Sequence, residues 1–236
     1  MTLRLVCFPH AGGSGRQFLR WRDTLPGGVT VEPMDVPGRG RFARRPAAPT
    51  LREAARALLP DVTGAGAGRY ALLGHSMGAL LAYEIARLAA DGGEPGPQFL
   101  VVAGCRPPHD LSTAWHAELS ALPDDDLLAV LAAGGQIPDG LRTSPMRSLF
   151  VPGLRADLRL VAGYRPPPRP GPLAVPLLAW CGDADPVAPA AAAEGWRGYT
   201  AAGFTLTRLA GGHFFLHENP ADATAALRRH LCPSPS

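Results

Sequence analysis

The stretch whose reading decides the fold is Arg69-Tyr70-Ala71-Leu72-Leu73-Gly74-His75-Ser76-Met77-Gly78-Ala79-Leu80-Leu81-Ala82-Tyr83-Glu84-Ile85-Ala86-Arg87-Leu88. Arg69 to Leu73 is a short apolar run with the character of a buried strand. Ala79 to Leu88 combines strong helix formers with apolar residues at helical spacing. Between them lies G-x-S-x-G, and strand, G-x-S-x-G, helix is the setting of a nucleophile elbow. The turn leaves no room for a Cβ on its inner side, which calls for glycine at both outer positions. The serine hydroxyl then stands clear of the sheet. A Gly-rich connection whose serine only caps a helix has the same local pattern. Partners elsewhere in the chain must separate the two readings.

Outward from this stretch, the 236 residues suit one α/β domain spanning 1–236, long enough to bury a sizeable core. The chain is 46% hydrophobic with a net charge of only +3, so nothing demands nucleic acid as a partner. Every basic residue other than histidine is arginine. The absence of lysine excludes a Walker A loop, a Schiff-base lysine and a Ser-Lys dyad together. No basic segment followed by a long apolar run opens the chain, and no apolar run reaches membrane-spanning length. A cytoplasmic location is therefore expected. Cys7, Cys105, Cys181 and Cys232 show no metal spacing and are expected as reduced core residues.

In chain order, Leu3 to Phe8 reads as a buried strand running into Pro9-His10-Ala11-Gly12-Gly13-Ser14-Gly15. A helix with Phe18, Leu19, Trp21 and Leu25 on one face follows, then a strand from Val29 to Asp35 and a basic loop through Pro46. Thr50 with Glu53 makes a capping box for a helix from Leu51 to about Leu59. Further strands are expected at Gln98 to Ala103, Leu173 to Trp180 and Phe204 to Leu209. Asn219 should cap a terminal helix through Leu231, with Pro233 to Ser236 frayed. This alternation predicts a mostly parallel sheet covered by helices on both faces. From about Pro107 to Pro170 no strand is legible. Instead Asp124-Asp125-Asp126 opens one apolar helix, with acids suited to its dipole. Met146 to Tyr164 carries a second, and Gly134, Gly135 and Pro138 separate the two. Residues 107–170 are expected to be a helical lid over the carboxyl ends of the strands, where ligands enter such sheets.

The chemistry follows from chain order. A serine hydroxyl needs an imidazole to take its proton, and the imidazole needs a carboxylate to fix its tautomer. On an α/β sheet the order is serine, acid, histidine. The strand ending at Trp180 runs into Cys181-Gly182-Asp183-Ala184-Asp185-Pro186, where Asp185 is the preferred acid and Asp183 the alternative. The strand ending at Leu209 runs into Ala210-Gly211-Gly212-His213, which places His213 as the base. His217 lies four residues on, but His213-Phe214-Phe215-Leu216-His217 lacks the glutamate of H-E-x-x-H, so no metal is expected and His217 reads as structural. The oxyanion donors expected are the amides of Met77, after the nucleophile, and Ala11, in the loop after the first strand.

Phe8-Pro9-His10-Ala11-Gly12-Gly13-Ser14, Pro37-Gly38-Arg39, Gly74-His75-Ser76-Met77-Gly78, Leu122-Pro123-Asp124-Asp125, Leu154-Arg155-Ala156-Asp157, Gly182-Asp183-Ala184-Asp185-Pro186 and Gly211-Gly212-His213-Phe214-Phe215 occur in that order. Together they resemble the type II thioesterases of polyketide synthase and non-ribosomal peptide synthetase systems, over nearly the whole chain. The resemblance implies the α/β-hydrolase fold and hydrolysis of acyl groups from the phosphopantetheine thiol of acyl or peptidyl carrier proteins, as an editing activity without a cofactor. Leu158 stands where an aromatic residue is expected, and Phe150-Val151-Pro152 departs from the usual lid sequence. Carrier proteins are typically acidic, so Arg39, Arg41, Arg44 and Arg45 are docking candidates; a solvated or internally paired loop is the competing reading. A monomer is expected. Two other functions compete: a general hydrolase of oxyesters or simple thioesters, and a non-catalytic carrier-binding scaffold.

Overall fold

The computed structural model describes residues 2–64, 68–137, 139–166 and 171–231. Six strands form one parallel sheet: β1 (Leu3–Phe8), β2 (Val29–Pro33), β3 (Arg69–His75), β4 (Leu100–Ala103), β5 (Leu177–Gly182) and β6 (Phe204–Leu209), in the order β2-β1-β3-β4-β5-β6. Parallel strands buried on both sides need near-continuous apolar runs, and Tyr70–Leu73 of β3, all of β4 and Leu177–Cys181 of β5 supply them. Side chains alternate between two cores. Val6, Phe8, Leu72, Val102 and Ala179 face one side, while Leu5, Cys7, Leu73, Val101 and Trp180 face the other.

The first core is covered by α1 (Leu51–Thr63) and α2 (Met77–Asp91). The second is covered by a 3-10 helix at Gly15–Trp21, through Phe18 and Trp21, and by the terminal helix of residues 220–231, through Ala223 and Leu227. The order in which strands are added reverses at β1, with β2 on one side of it and β3 on the other. The loops after β1 and β3 therefore splay apart at the carboxyl edge and leave a crevice.

The strands β1 and β6 fall on the residues the sequence indicates. Thr50 Oγ accepts from the Glu53 amide (3.2 Å) and donates to the Glu53 carboxylate (2.8 Å), so α1 is capped as expected, although it runs on past Leu59 to Thr63. Several expectations change: β4 starts at Leu100 and not Gln98, and β5 runs from Leu177 to Gly182 and not from Leu173 to Trp180, Leu173 making only an isolated bridge to Thr200. The strand expected to reach Asp35 ends at Pro33, because Asp35 turns inward to accept from the Ser14 hydroxyl and the amides of Gly15 and Arg41. The helix expected after the first loop is a short 3-10 turn, with Phe18 and Trp21 buried and Leu19 only partly so.

Between β4 and β5 lie α3 (Thr113–Ala121), α4 (Asp124–Ala133) and α5 (Arg147–Ala162), which share a small core of Leu119, Leu127, Leu131, Val151, Leu154 and Leu158. The sequence indicated the last two and gave no sign of α3. After β5 come a short α6 (Ala190–Ala193) and, past β6, α7 (Phe215–Glu218) and α8 (Pro220–Leu231). The Asn219 carbonyl accepts from Ala223, while its side-chain amide donates to Ala210 (3.0 Å) and ties the start of α8 to the end of β6. Cys7, Cys105 and Cys181 are buried free thiols. Cys232, Pro138, residues 167–170 of the expected lid and the expected frayed tail lie outside the described residues.

Candidate active site

Ser76 joins β3 to α2 with φ 54° and ψ −119°, and is the one non-glycine at positive φ among the described residues. Such a conformation costs about 1–3 kcal/mol and persists only where its surroundings over-determine it. They do so here. A Cβ on Gly78 would collide with the carbonyl oxygens of Phe8 and Pro9, and one on Gly74 with the Gly78 backbone. The helix must pack flush on the end of β1, which forces the sharp turn and pushes the Ser76 side chain outward.

His213 follows β6 and Asp185 follows β5, the neighbouring strand. Both are buried, and His213 Nδ1 meets Asp185 at 3.0 Å to Oδ2 and 3.1 Å to Oδ1. Asp185 Oδ1 also accepts from the amides of Val187 (2.8 Å) and Ala188 (3.2 Å). Burial alone would raise its carboxyl, but the bonds from His213 and those amides outweigh it and hold the group below its ordinary value. Asp183 is exposed and turns away, accepting from the Gly211 amide (2.9 Å).

Met77 opens α2, so its amide has no acceptor within the helix. In the loop after β1 the Gly12 amide donates to Asp157 (2.7 Å) and the Gly13 amide to the His10 carbonyl (2.9 Å). The Ala11 amide has no acceptor among the described residues. Ser76, Met77, Ala11 and His213 line one cavity of about 450 Å³. Its apolar wall is made by Leu80 of α2 and, from the helical segment, Trp115, Leu131, Leu154, Leu158 and Val161. The oxyanion of a tetrahedral intermediate on Ser76 would find free amide donors in a mostly apolar chamber.

Several residues that the sequence did not single out for these contacts shape the site. Asp157 of α5, nearly fully buried, pairs with Arg39 while holding the Gly12 amide. Burial raises its carboxyl more than Arg39 lowers it. Arg39 Nη1 also reaches the Gly153 carbonyl (3.1 Å), and Phe150 and Leu154 press on Gly12. At the far end of α5, the Tyr164 hydroxyl donates to buried Glu84 (2.7 Å) on α2. His75 Nε2 meets the His213 carbonyl at 2.8 Å and braces the loop that carries that histidine. No local pattern reveals contacts between residues 80 to 145 positions apart; only the position of His75 inside the G-x-S-x-G stretch marked it.

Of the four arginines in the basic loop, three are committed inside the chain. Arg39 holds Asp157, Arg41 reaches Glu32 (3.2 Å), and Arg45 grips Asp61 through two bonds (2.6 and 2.9 Å) while lying over the Phe42 ring. Arg44 is exposed, with no ion-pair partner among the described residues.

The thioesterase domain family model matches residues 3–232. The chain is 35% identical over 98% of its length to the AMB antimetabolite synthetase AmbE of Pseudomonas aeruginosa, and spans 11% of that much longer protein. Among solved structures, it superposes on RedJ, a thioesterase from the prodiginine biosynthetic pathway of Streptomyces coelicolor, with a TM-score of 0.82 at 38% identity, covering 97% of this chain and 89% of RedJ. The type II thioesterase BorB from the borrelidin biosynthetic cluster gives 0.84 at 31% identity, covering 98% and 93%. The sheet, the strained serine turn and these matches together make the chain a member of the thioesterase family with the α/β-hydrolase fold.

Proposed function

We propose that this protein hydrolyses acyl groups from the phosphopantetheine thiol of acyl or peptidyl carrier proteins, as an editing enzyme of polyketide or non-ribosomal peptide synthesis. The observation that carries the reading is the Asp185–His213 contact at 3.0 Å, made where His213 shares an apolar cavity with the outward-turned Ser76. Relatives named as type II thioesterases of biosynthetic clusters support the substrate class.

In this mechanism Ser76 Oγ attacks the thioester carbonyl carbon as His213 Nε2 takes its proton. Asp185 stays ionised and stabilises the imidazolium. The amides of Met77 and Ala11 receive the oxyanion. The C–S bond then breaks and the leaving thiolate takes the proton from His213. Water attacks the Ser76 ester as His213 takes its proton; the bond from Ser76 Oγ to the acyl carbon then breaks, Oγ takes that proton back, and the acid leaves. The α3–α5 segment acts as the lid: its apolar side chains enclose the acyl chain and Asp157 steadies the oxyanion loop. Arg44 is the arginine of the basic loop free to meet an acidic carrier, since Arg39, Arg41 and Arg45 are internally paired. No helix among the described residues is long and apolar enough to cross a membrane, which accords with action on carriers in the cytoplasm.

Acyl-loaded carrier proteins compared by mass spectrometry with matched acyl-pantetheines and oxyesters test the reading. Faster release from the carrier is expected, with Ser76→Ala lowering it by about 10⁴–10⁶. Equal turnover of oxyesters would replace it with a general hydrolase, and hydrolysis surviving in Ser76→Ala would overturn the mechanism.

A further inference from the structure

Behind the Asp185–His213 pair, three other imidazoles converge. His10 comes from the loop after β1, His75 from the end of β3 and His217 from α7. One ring nitrogen of each lies within 4.8 Å of the other two. The three pairs of ring centroids are 5.4, 5.8 and 5.2 Å apart, at angles of 79°, 61° and 65°. Edge-to-face packing accounts for rings in contact. It does not account for their nitrogens. Fully buried His75 leaves Nδ1 without a partner, and His217 leaves both nitrogens shut from solvent and unpaired, whereas buried polar atoms are as a rule satisfied.

The tautomers narrow the interpretation. A carbonyl only accepts, so His75 Nε2–H donates to the His213 carbonyl (2.8 Å) and His10 Nδ1–H to the Ala11 carbonyl (3.0 Å). That leaves lone pairs on His75 Nδ1 and His10 Nε2, the latter beside the Gln17 side chain, which an ion would displace. One nitrogen tied to a backbone carbonyl with the other left as a lone pair is how metal-binding histidines are oriented. Burial also holds all three rings well below their ordinary value, His10 at about 4 and His217 at about 3, so each is neutral near pH 7.

We propose that His10, His75 and His217 form a binding site for one divalent cation of the zinc class, and that filling it suppresses hydrolysis. Three neutral imidazoles suit Zn²⁺, Ni²⁺ or Cu²⁺ and not the oxygen-seeking Mg²⁺ or Ca²⁺. Tetrahedral zinc, with bonds of about 2.0–2.1 Å, sets its nitrogens about 3.4 Å apart. With the nitrogens up to 4.8 Å apart, the rings must shift inward when the ion binds. His10 also lines the cavity, which gives the ion an entry path and a place for its fourth ligand, water. The His75 ring is centred 5.2 Å from that of His213. A dication on His75 opposes the positive charge His213 must take from Ser76. The inhibitory half rests on the hydrolytic reading; the binding half does not. It also departs from the sequence expectation of no metal, which weighed His213 with His217 and not this set.

Zinc chloride titrated into EDTA-stripped protein, read by calorimetry and by thioester hydrolysis, tests both halves. In His217→Phe the aromatic packing is kept and both nitrogens are lost. The expected result is one zinc per chain in the parent, at least tenfold weaker binding in His217→Phe, and parent activity falling at least tenfold and returning with EDTA. His217→Phe should keep the metal-free rate and escape inhibition at the same zinc concentration. Equal zinc binding by both proteins, or none by the parent, overturns the site. Zinc bound without loss of rate overturns the inhibition. If His217→Phe fails to fold, cobalt(II) added to the parent decides: intense visible bands of a four-coordinate ion are expected, and only weak six-coordinate bands overturn the site. Metal binding in a protein inactive on every thioester would instead remove the hydrolytic reading alone.

Discussion

The carboxyl ends of the strands and the helices α3–α5 face the same cavity, yet they hold their side chains by different means. Ser76, Asp185 and His213 stand in the turns that directly follow β3, β5 and β6, which backbone bonds tie to neighbouring strand ends, Ser76 N–H to the Ala103 carbonyl (2.8 Å) and Ala184 N–H to the Gly211 carbonyl (3.0 Å). The helical segment is knit together internally by side chains and tied to the rest of the chain by Asp157. Arg155 reaches Asp124 (2.6 Å) and the Ser120 carbonyl (2.5 Å), Arg147 reaches Asp125 (2.5 Å), and Asp157 ties α5 to the loop after β1. Its outer face exposes Met146 and Leu149, at 58% and 73%. Backbone-fixed geometry is suited to a reaction that tolerates little misplacement. A cover tied by side chains can open, and can change its lining without disturbing the chemistry.

The sharpest way to break this contrast is at the strand ends. Asp185→Asn should lower turnover by about 10³–10⁴ with little change in stability, because the imidazole loses its carboxylate. Asp183→Asn, which touches only the Gly211 amide, should leave the rate within a few-fold of the parent. Steady-state kinetics on one thioester compares them, and equal losses would dissolve the distinction between the two acids.

A smaller effect is expected where the cover meets the loop. Asp157→Ala strips the Gly12 amide and Arg39 of their shared partner and should cost about 1–3 kcal/mol in urea unfolding. Asp157→Asn keeps an acceptor and sheds a charge that burial disfavours. Because the folded pKa is raised, the carboxyl's contribution is full at pH values below the unfolded value and is lost as pH rises through the folded one. At neutral pH the asparagine variant should therefore be no less stable than the parent. A loss equal to that of alanine would show that the charge itself holds α5 down.

The smallest effect concerns the three imidazoles behind the site. Their folded values are depressed by burial, so the unfolded chain takes up protons below about pH 6.5 while the folded chain resists until about 4 at His10 and about 3 at His217. Stability is present above 6.5 and is lost as pH falls toward those values. In EDTA, His217→Phe should flatten the slope of unfolding free energy between pH 6.5 and 5 by about one proton. An unchanged slope would mean that His217 is not shielded as the packing indicates.

What the sequence made legible follows the same division. Strands β1 and β6 can be read to the residue, β1 because it is buried almost throughout and β6 because Phe204, Leu206 and Leu209 stand among polar residues up to the Gly211 turn. Chain order and those turns were enough to point to Ser76, Asp185 and His213 as the residues to inspect. The helix α3 was illegible, since over Thr113–Ala121 only Leu119 and Ser120 are buried and no apolar stripe forms. The Arg39–Asp157 pair joins residues 118 apart, and the imidazole cluster draws on three separate segments. Such contacts come from the strand order, which no local spacing records. The four arginines illustrate the limit from the other side. As a string they are one basic patch, whereas in the fold three of them also pair with acids of the same chain.

The left-handed backbone at Ser76 bears on how this protein could be caught with its substrate. Alanine at that position removes the hydroxyl but inherits the strained turn, whereas glycine removes both. The strain relieved, about 1–3 kcal/mol, exceeds the roughly 0.5–1 kcal/mol that glycine's freedom costs in the unfolded chain. An inert enzyme built for trapping a loaded carrier is better made as Ser76→Gly, a form that trades reactivity for repose.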